Sequence, residues 1–186
     1  MIIMDKYQQL LSNVAERNNL PTLSYKAGDI LFHQGVLEPR LFWIKSGLVK
    51  LVFIQPDGKE FVKAFLAEND ISGSLMSVIF EKPSPYACYC IEPCEVIAMP
   101  YSKVREWSEK TPQLKDVELE YMQQLTARKE EREYQFLCLT PEERYKSFKS
   151  GYPHIFKRIS QAELALFLGI TPVALSRIKT RLKATA

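Results

Sequence analysis

The chain predicts an α+β fold: an antiparallel β-roll of jelly-roll type, then a long helix, then a C-terminal helix-turn-helix. Three observations carry this. From Leu23 to Met99 short apolar runs alternate with glycine- or proline-bearing turns about every ten residues. After Met99 apolar residues recur at intervals of three and four over a stretch too long for a strand. Ile159 to Lys183 then carries the capping residues, turn glycine and apolar spacing of two short crossed helices.

A chain of 186 residues, 46% apolar, can bury a sizeable core and suits one moderate domain joined to a small one. The expected division is residues 1–110 for the roll, 111–139 for a dimerisation helix and 140–186 for the helix-turn-helix domain. No run of about 18 apolar residues offers a membrane span, and the apolar Met1–Ile3 gives way at once to Asp5 and Lys6. The expected compartment is therefore the cytoplasm, with no membrane partner.

In the roll, Tyr25-Lys26-Ala27-Gly28-Asp29 turns into Ile30, Leu31 and Phe32, and Gln34-Gly35 breaks the run before Leu41, Phe42, Trp43 and Ile44. Ser46-Gly47 interrupts again. Leu48–Ile54 and Phe61–Leu66 flank Gln55-Pro56-Asp57-Gly58, the clearest hairpin turn in the chain. Cys88, Cys90 and Cys94 cluster while Cys138 stands apart, without the paired spacing of a zinc site, so reduced buried thiols are expected. The two histidines, His33 and His154, lie in different segments, and no Ser-His-Asp set or phosphate-binding glycine loop is present. Neither metal, cofactor nor enzymatic activity is predicted.

Tyr101–Glu109 reads as a helix, and Thr111-Pro112 opens a longer one. Leu114, Val117, Tyr121 and Leu125 make its apolar stripe, expected to meet a second copy across a two-fold axis while the roll takes part of it. The charged run Arg128–Glu133 leads to Phe136, Leu137 and Leu139, and Thr140-Pro141-Glu142-Glu143 starts another helix.

The last segment points to DNA. Ser160 and Glu163 have the spacing of a capping box, Gly169 supplies a left-handed turn after Leu168, and Thr171-Pro172 caps a second helix. Leu164, Leu168, Leu175 and Ile178 face inward, with small Ala165 at the crossing. Ser160, Gln161, Thr171, Pro172, Val173, Ser176, Arg177, Lys179, Thr180 and Arg181 are the expected contacts to a duplex. From Thr140 onward nine Lys or Arg stand against three Glu, a surplus of six in a chain of net charge +3, so the remainder carries −3. A basic end on a mildly acidic body suits phosphate contact.

This order of parts resembles the Crp/Fnr family of transcription regulators over almost the whole chain. The resemblance rests on Gly28, Gly35 and Gly47, the Gly73-Ser74-Leu75 segment, the Pro141–Arg144 helix start and the Ile159–Ile178 reader. It implies a homodimer on a near-palindromic operator in double-stranded DNA, with RNA polymerase as a further partner and no effector named. It also places an effector pocket at Gly73, Ser74, Leu75, Pro85, Tyr86 and Ala87. Cyclic-nucleotide binders of the family carry Gly-Glu-Leu and Arg-Ser-Ala or Arg-Thr-Ala, but Ser74 replaces the Glu and Pro85 stands where the Arg belongs. Lys82 is expected to be an exposed loop lysine. Cyclic AMP is therefore not expected as effector, and the roll either holds a different, less charged molecule or works only as a scaffold. The reader departs too, with Pro172 and Val173 at the first reading positions and Arg177 keeping a guanidinium. The alternative is a small-molecule or redox-responsive binding module whose basic end contacts protein instead of DNA.

Overall fold

A computed structural model describes residues 7–184. Helix α1 (Gln8–Arg17) precedes strands β1 (Thr22–Tyr25), β2 (Ile30–Phe32), β3 (Arg40–Ser46), β4 (Val49–Ile54), β5 (Glu60–Leu66) and β6 (Ile71–Ser72). Helix α2 (Leu75–Phe80), β7 (Ala87–Cys90) and β8 (Cys94–Pro100) complete the roll. There follow α3 (Tyr101–Lys110), α4 (Pro112–Cys138), α5 (Pro141–Gly151), α6 (Pro153–Phe156), α7 (Gln161–Leu168) and α8 (Pro172–Ala184). Met1–Lys6, which carried the expectation about a leader, lie outside the described residues.

The strands form two four-stranded antiparallel sheets, ordered β1-β8-β3-β6 and β2-β7-β4-β5, the predicted jelly-roll arrangement. Between them lie Phe32, Phe42, Ile44, Val49, Leu51 and Val96, apolar because each alternates inward along its strand. The hairpin at Gln55–Gly58 closes β4 on β5, the Gly58 N–H donating to the Gln55 carbonyl at 2.9 Å. Gly47 joins β3 to β4 at φ 100°, where a Cβ would lie 2.5 Å from the Pro93 carbonyl oxygen, so glycine is required twice over.

Three buried thiols sit in this core, and burial pushes Cys88 up to about 12. Cys138 departs from the expectation. It is exposed at the last turn of α4.

Helices α1, α2 and α6 are elements that the sequence reading did not anticipate. Leu11 and Ala15 of α1 pack beside Leu41, Trp43, Ile97 and Met99, covering the outer face of the first sheet. Helix α4 runs 27 residues with Pro112 in its first turn, and Thr111 stands at its cap without a side-chain capping bond. Val117 is buried against the chain's own roll, Leu114 is buried too, and the Tyr121 hydroxyl donates to the Ile71 carbonyl at 3.3 Å. Leu125 lines an open-sided cavity. Docking within the chain thus takes Leu114 and Val117 of the stripe, while Tyr121 and Leu125 are only partly buried. The outward face carries Leu119, 59% exposed, and Leu137, 77% exposed, about five turns further along the same side.

The C-terminal helices share a core with the roll. Val52, Val62 and Phe65 of the second sheet meet Phe148, Leu164, Phe167 and Leu168 in one cluster. Among the described residues no single helix is long and apolar enough to cross a membrane.

Candidate nucleic-acid interface and the cavity behind it

Local hydrogen bonds build the reader. Glu163 N–H donates to Ser160 Oγ at 3.2 Å and Ser160 N–H donates to Glu163 Oε2 at 2.9 Å, a complete capping box. Thr140 and Glu143 make the same box at the start of α5. Gly169 turns the chain at φ 69°, and the Ile170 N–H reaches back to the Ala165 carbonyl at 3.0 Å. Thr171 Oγ1 accepts from the Ala174 N–H at 3.2 Å and opens α8. The two helices cross at 97°, close to the geometry of a DNA-reading pair.

Leu164, Leu168, Leu175 and Ile178 are buried, so the opposite face of α8 looks outward. Thr171, Pro172, Val173, Ser176, Arg177, Thr180 and Arg181 are exposed, Val173 at 62%. Arg177 makes no hydrogen bond or ion pair among the described residues, leaving its guanidinium available. Lys179 Nζ instead donates to Gln161 Oε1 at 2.7 Å, tying the two helices together, and Arg181 Nε donates to Glu142 Oε2 at 2.8 Å. Ser160 is exposed but its hydroxyl belongs to the cap.

The basic surplus of this end is smaller at the surface than in the sequence. Arg144 is buried and donates to the carbonyls of Leu168 at 3.2 Å and Leu139 at 2.7 Å, closing the ends of α7 and α4. Arg158 grips both oxygens of Glu68 at 2.8 Å and also pairs with Glu92, clamping the C-terminal helices to two turns of the roll. That guanidinium holds the Glu68 carboxyl down at about 2. Lys50 adds a contact to Glu163 at 3.4 Å.

Behind the reader lies an open-sided cavity of about 570 Å³ bounded by the roll, α4 and the C-terminal helices. Of the residues assigned to an effector pocket, Gly73, Ser74, Leu75 and Tyr86 line it, whereas Pro85 and Ala87 do not. Ala87 instead lies in β7, paired with Val52 of β4. Lys82 stays outside, exposed after α2. The sequence reading missed Lys63, Arg128 and Arg132, which turn into this space from β5 and from the charged run of α4. Lys63 shows as an alternating strand position and the arginines as a solvated run, so no sequence signal separates them from surface charges. Tyr86 donates to the Gly73 carbonyl at 2.8 Å, and its burial pushes the phenol up to about 12.

Residues 22–111 match the family described as "Cyclic nucleotide-binding domain". The chain is 25% identical over 171 residues to the transcriptional activator protein Anr of Pseudomonas aeruginosa, covering 84% of this chain and 68% of that protein. The roll is thus similar to cyclic nucleotide-binding domains, and the chain as a whole to a transcriptional activator. Two solved structures share the fold of this chain. FixK2 from Bradyrhizobium japonicum superposes with a TM-score of 0.76 at 16% identity, covering 89% of this chain and 85% of that one. The c-di-GMP responsive regulator CLP of Xanthomonas campestris gives 0.75 at 18%, covering 94% and 92%.

Proposed function

We propose that this chain is a sequence-specific DNA-binding regulator of Crp/Fnr type in which residues 1–110 sense, 111–139 dimerise and 140–186 read. One observation carries the DNA reading: α8 presents an exposed polar face with an unpartnered Arg177, on a support fixed by two capping boxes and a 97° crossing. Such a helix fits the major groove, where a guanidinium can make two parallel bonds to a guanine edge. Cytoplasmic double-stranded DNA is then the partner, and the similarity to Anr, an activator, supports RNA polymerase as a further one.

A homodimer follows from the outward face of α4. Leu119 and Leu137 are exposed there, and two copies of α8 have to stand about 34 Å apart to enter successive major grooves. Cyclic AMP is not the effector in this reading, since Ser74 offers no carboxylate to a ribose hydroxyl and Pro85 no cation to a phosphate. Selection of bound sequences from random duplex by the purified protein tests the proposal. A palindromic consensus is the expected result, and recovery of unselected sequence would overturn it.

A further inference from the structure

From Thr140 onward the chain has three glutamates, and two of them serve helix starts. Glu143 accepts the Thr140 N–H at 2.8 Å and Glu163 the Ser160 N–H at 2.9 Å. Glu142 is turned on cations instead. Its Oε1 accepts from Lys146 Nζ at 2.8 Å, and its Oε2 accepts from Nε of Arg181 at 2.8 Å and from Nη2 of the same guanidinium. Lys146, then Arg181, hold the Glu142 carboxyl below its ordinary range, so it is charged at neutral pH. Arg181 lies one turn beyond Arg177 on the same side of α8, and its side chain is 63% exposed. The ion pair therefore stands on the face that presents Arg177.

We propose that Glu142 is an internal stand-in for a backbone phosphate, occupying Arg181 and Lys146 in the free protein and competing with DNA for them. Carboxylate and phosphate offer a guanidinium fork the same charged oxygens, and one edge of the fork serves a single anion at a time. A phosphate that takes Arg181 must first displace Glu142 and then stand near its freed charge. The affinity for every duplex is thereby held down, and with it the number of phosphate contacts that salt dependence counts. With Arg144 and Arg158 already committed inside the fold, Glu142 holds two of the cations left for DNA. Stability is a poor reason for the arrangement, because ion pairs this exposed add little to folding. The inference rests on the regulator reading of α8.

Titration of a labelled random duplex with the full chain, read by fluorescence anisotropy from about 50 to about 300 mM salt, tests this. Glu142→Gln is expected to tighten binding about three- to tenfold at the low end, and to steepen the slope of log affinity against log salt by about one unit. Glu142→Ala is expected to do the same, and melting curves of both variants report their folding. Arg181→Ala should then cost more in the Glu142→Gln background than in the unsubstituted chain, since only there has the guanidinium lost this carboxylate. Binding by the folded variants equal to or weaker than that of the unsubstituted chain would overturn the proposal. So would a lowered melting temperature with an unchanged salt slope, which is the mark of a plain tie between α5 and α8, or an equal cost of Arg181→Ala in both backgrounds. Failure of the regulator reading looks different: chain and variants alike would then leave the duplex unbound at the lowest salt.

Discussion

The guanidinium of Arg132 lies 3.7 Å from the centroid of the Phe167 ring and donates through Nη2 to the carbonyl of that same residue. Phe136 covers its other side at 4.3 Å. A side chain of the long helix thus satisfies one of the last carbonyls of α7, which has no partner within its own helix. Burial lowers Arg132 to about 10, so the contact is made by a cation with little water around it. Replacing Arg132 by Met should destabilise the C-terminal helices by about 1–3 kcal/mol. Amide exchange of α7 and α8 would show this as faster opening there than in the roll, and uniform exchange throughout would contradict it.

Base reading and helix support separate in α8. Arg177→Ala should cost about 1–3 kcal/mol on the selected operator and flatten preference at one base pair. Lys179 sits on Gln161, so Lys179→Ala should weaken all duplexes alike through the support of the helix. Binding to selected and random duplex, measured side by side, distinguishes the two. Equal loss on both for Arg177→Ala would mean that the helix lies otherwise in the groove.

Leu119→Asp with Leu137→Asp should give folded monomers by sedimentation, since like charges would be forced into the apolar seam. Tyr121→Asp with Leu125→Asp should instead lower the melting temperature, because both residues face the roll and its cavity. Should the first pair leave a dimer intact, the outward face is not the seam.

Acid should loosen the clamp between roll and reader. Glu68 is held at about 2 by Arg158, below the ordinary 4.5, so its contribution is complete above about pH 4.5 and is lost as the pH falls toward 2. The carboxylate is partly exposed, which keeps the effect modest. Melting temperatures of wild type and Glu68→Gln should converge across this window and differ above it. Parallel curves at every pH would show that Arg158 carries no such linkage.

What the sequence by itself determined is what local chemistry determines. The boxes at Thr140 and Ser160 join residues three apart, Gly169 answers the left-handed turn at its own position, and Thr171 caps a helix within the same segment. The turns of the roll were legible for the same reason, since Gln55–Gly58 closes on itself. Tertiary structure alone decided which face of α4 turns inward. Both sides carry leucines at helical spacing, and only the presence of the roll beside Val117 leaves Leu119 and Leu137 outside. It likewise turned Arg132 from a member of a charged run into the bolt of α7, and Lys63 from an ordinary strand lysine into the charge of a cavity. Their partners lie tens of residues away, and a side chain's solvation depends on what the fold brings against it, which spacing along the chain does not record.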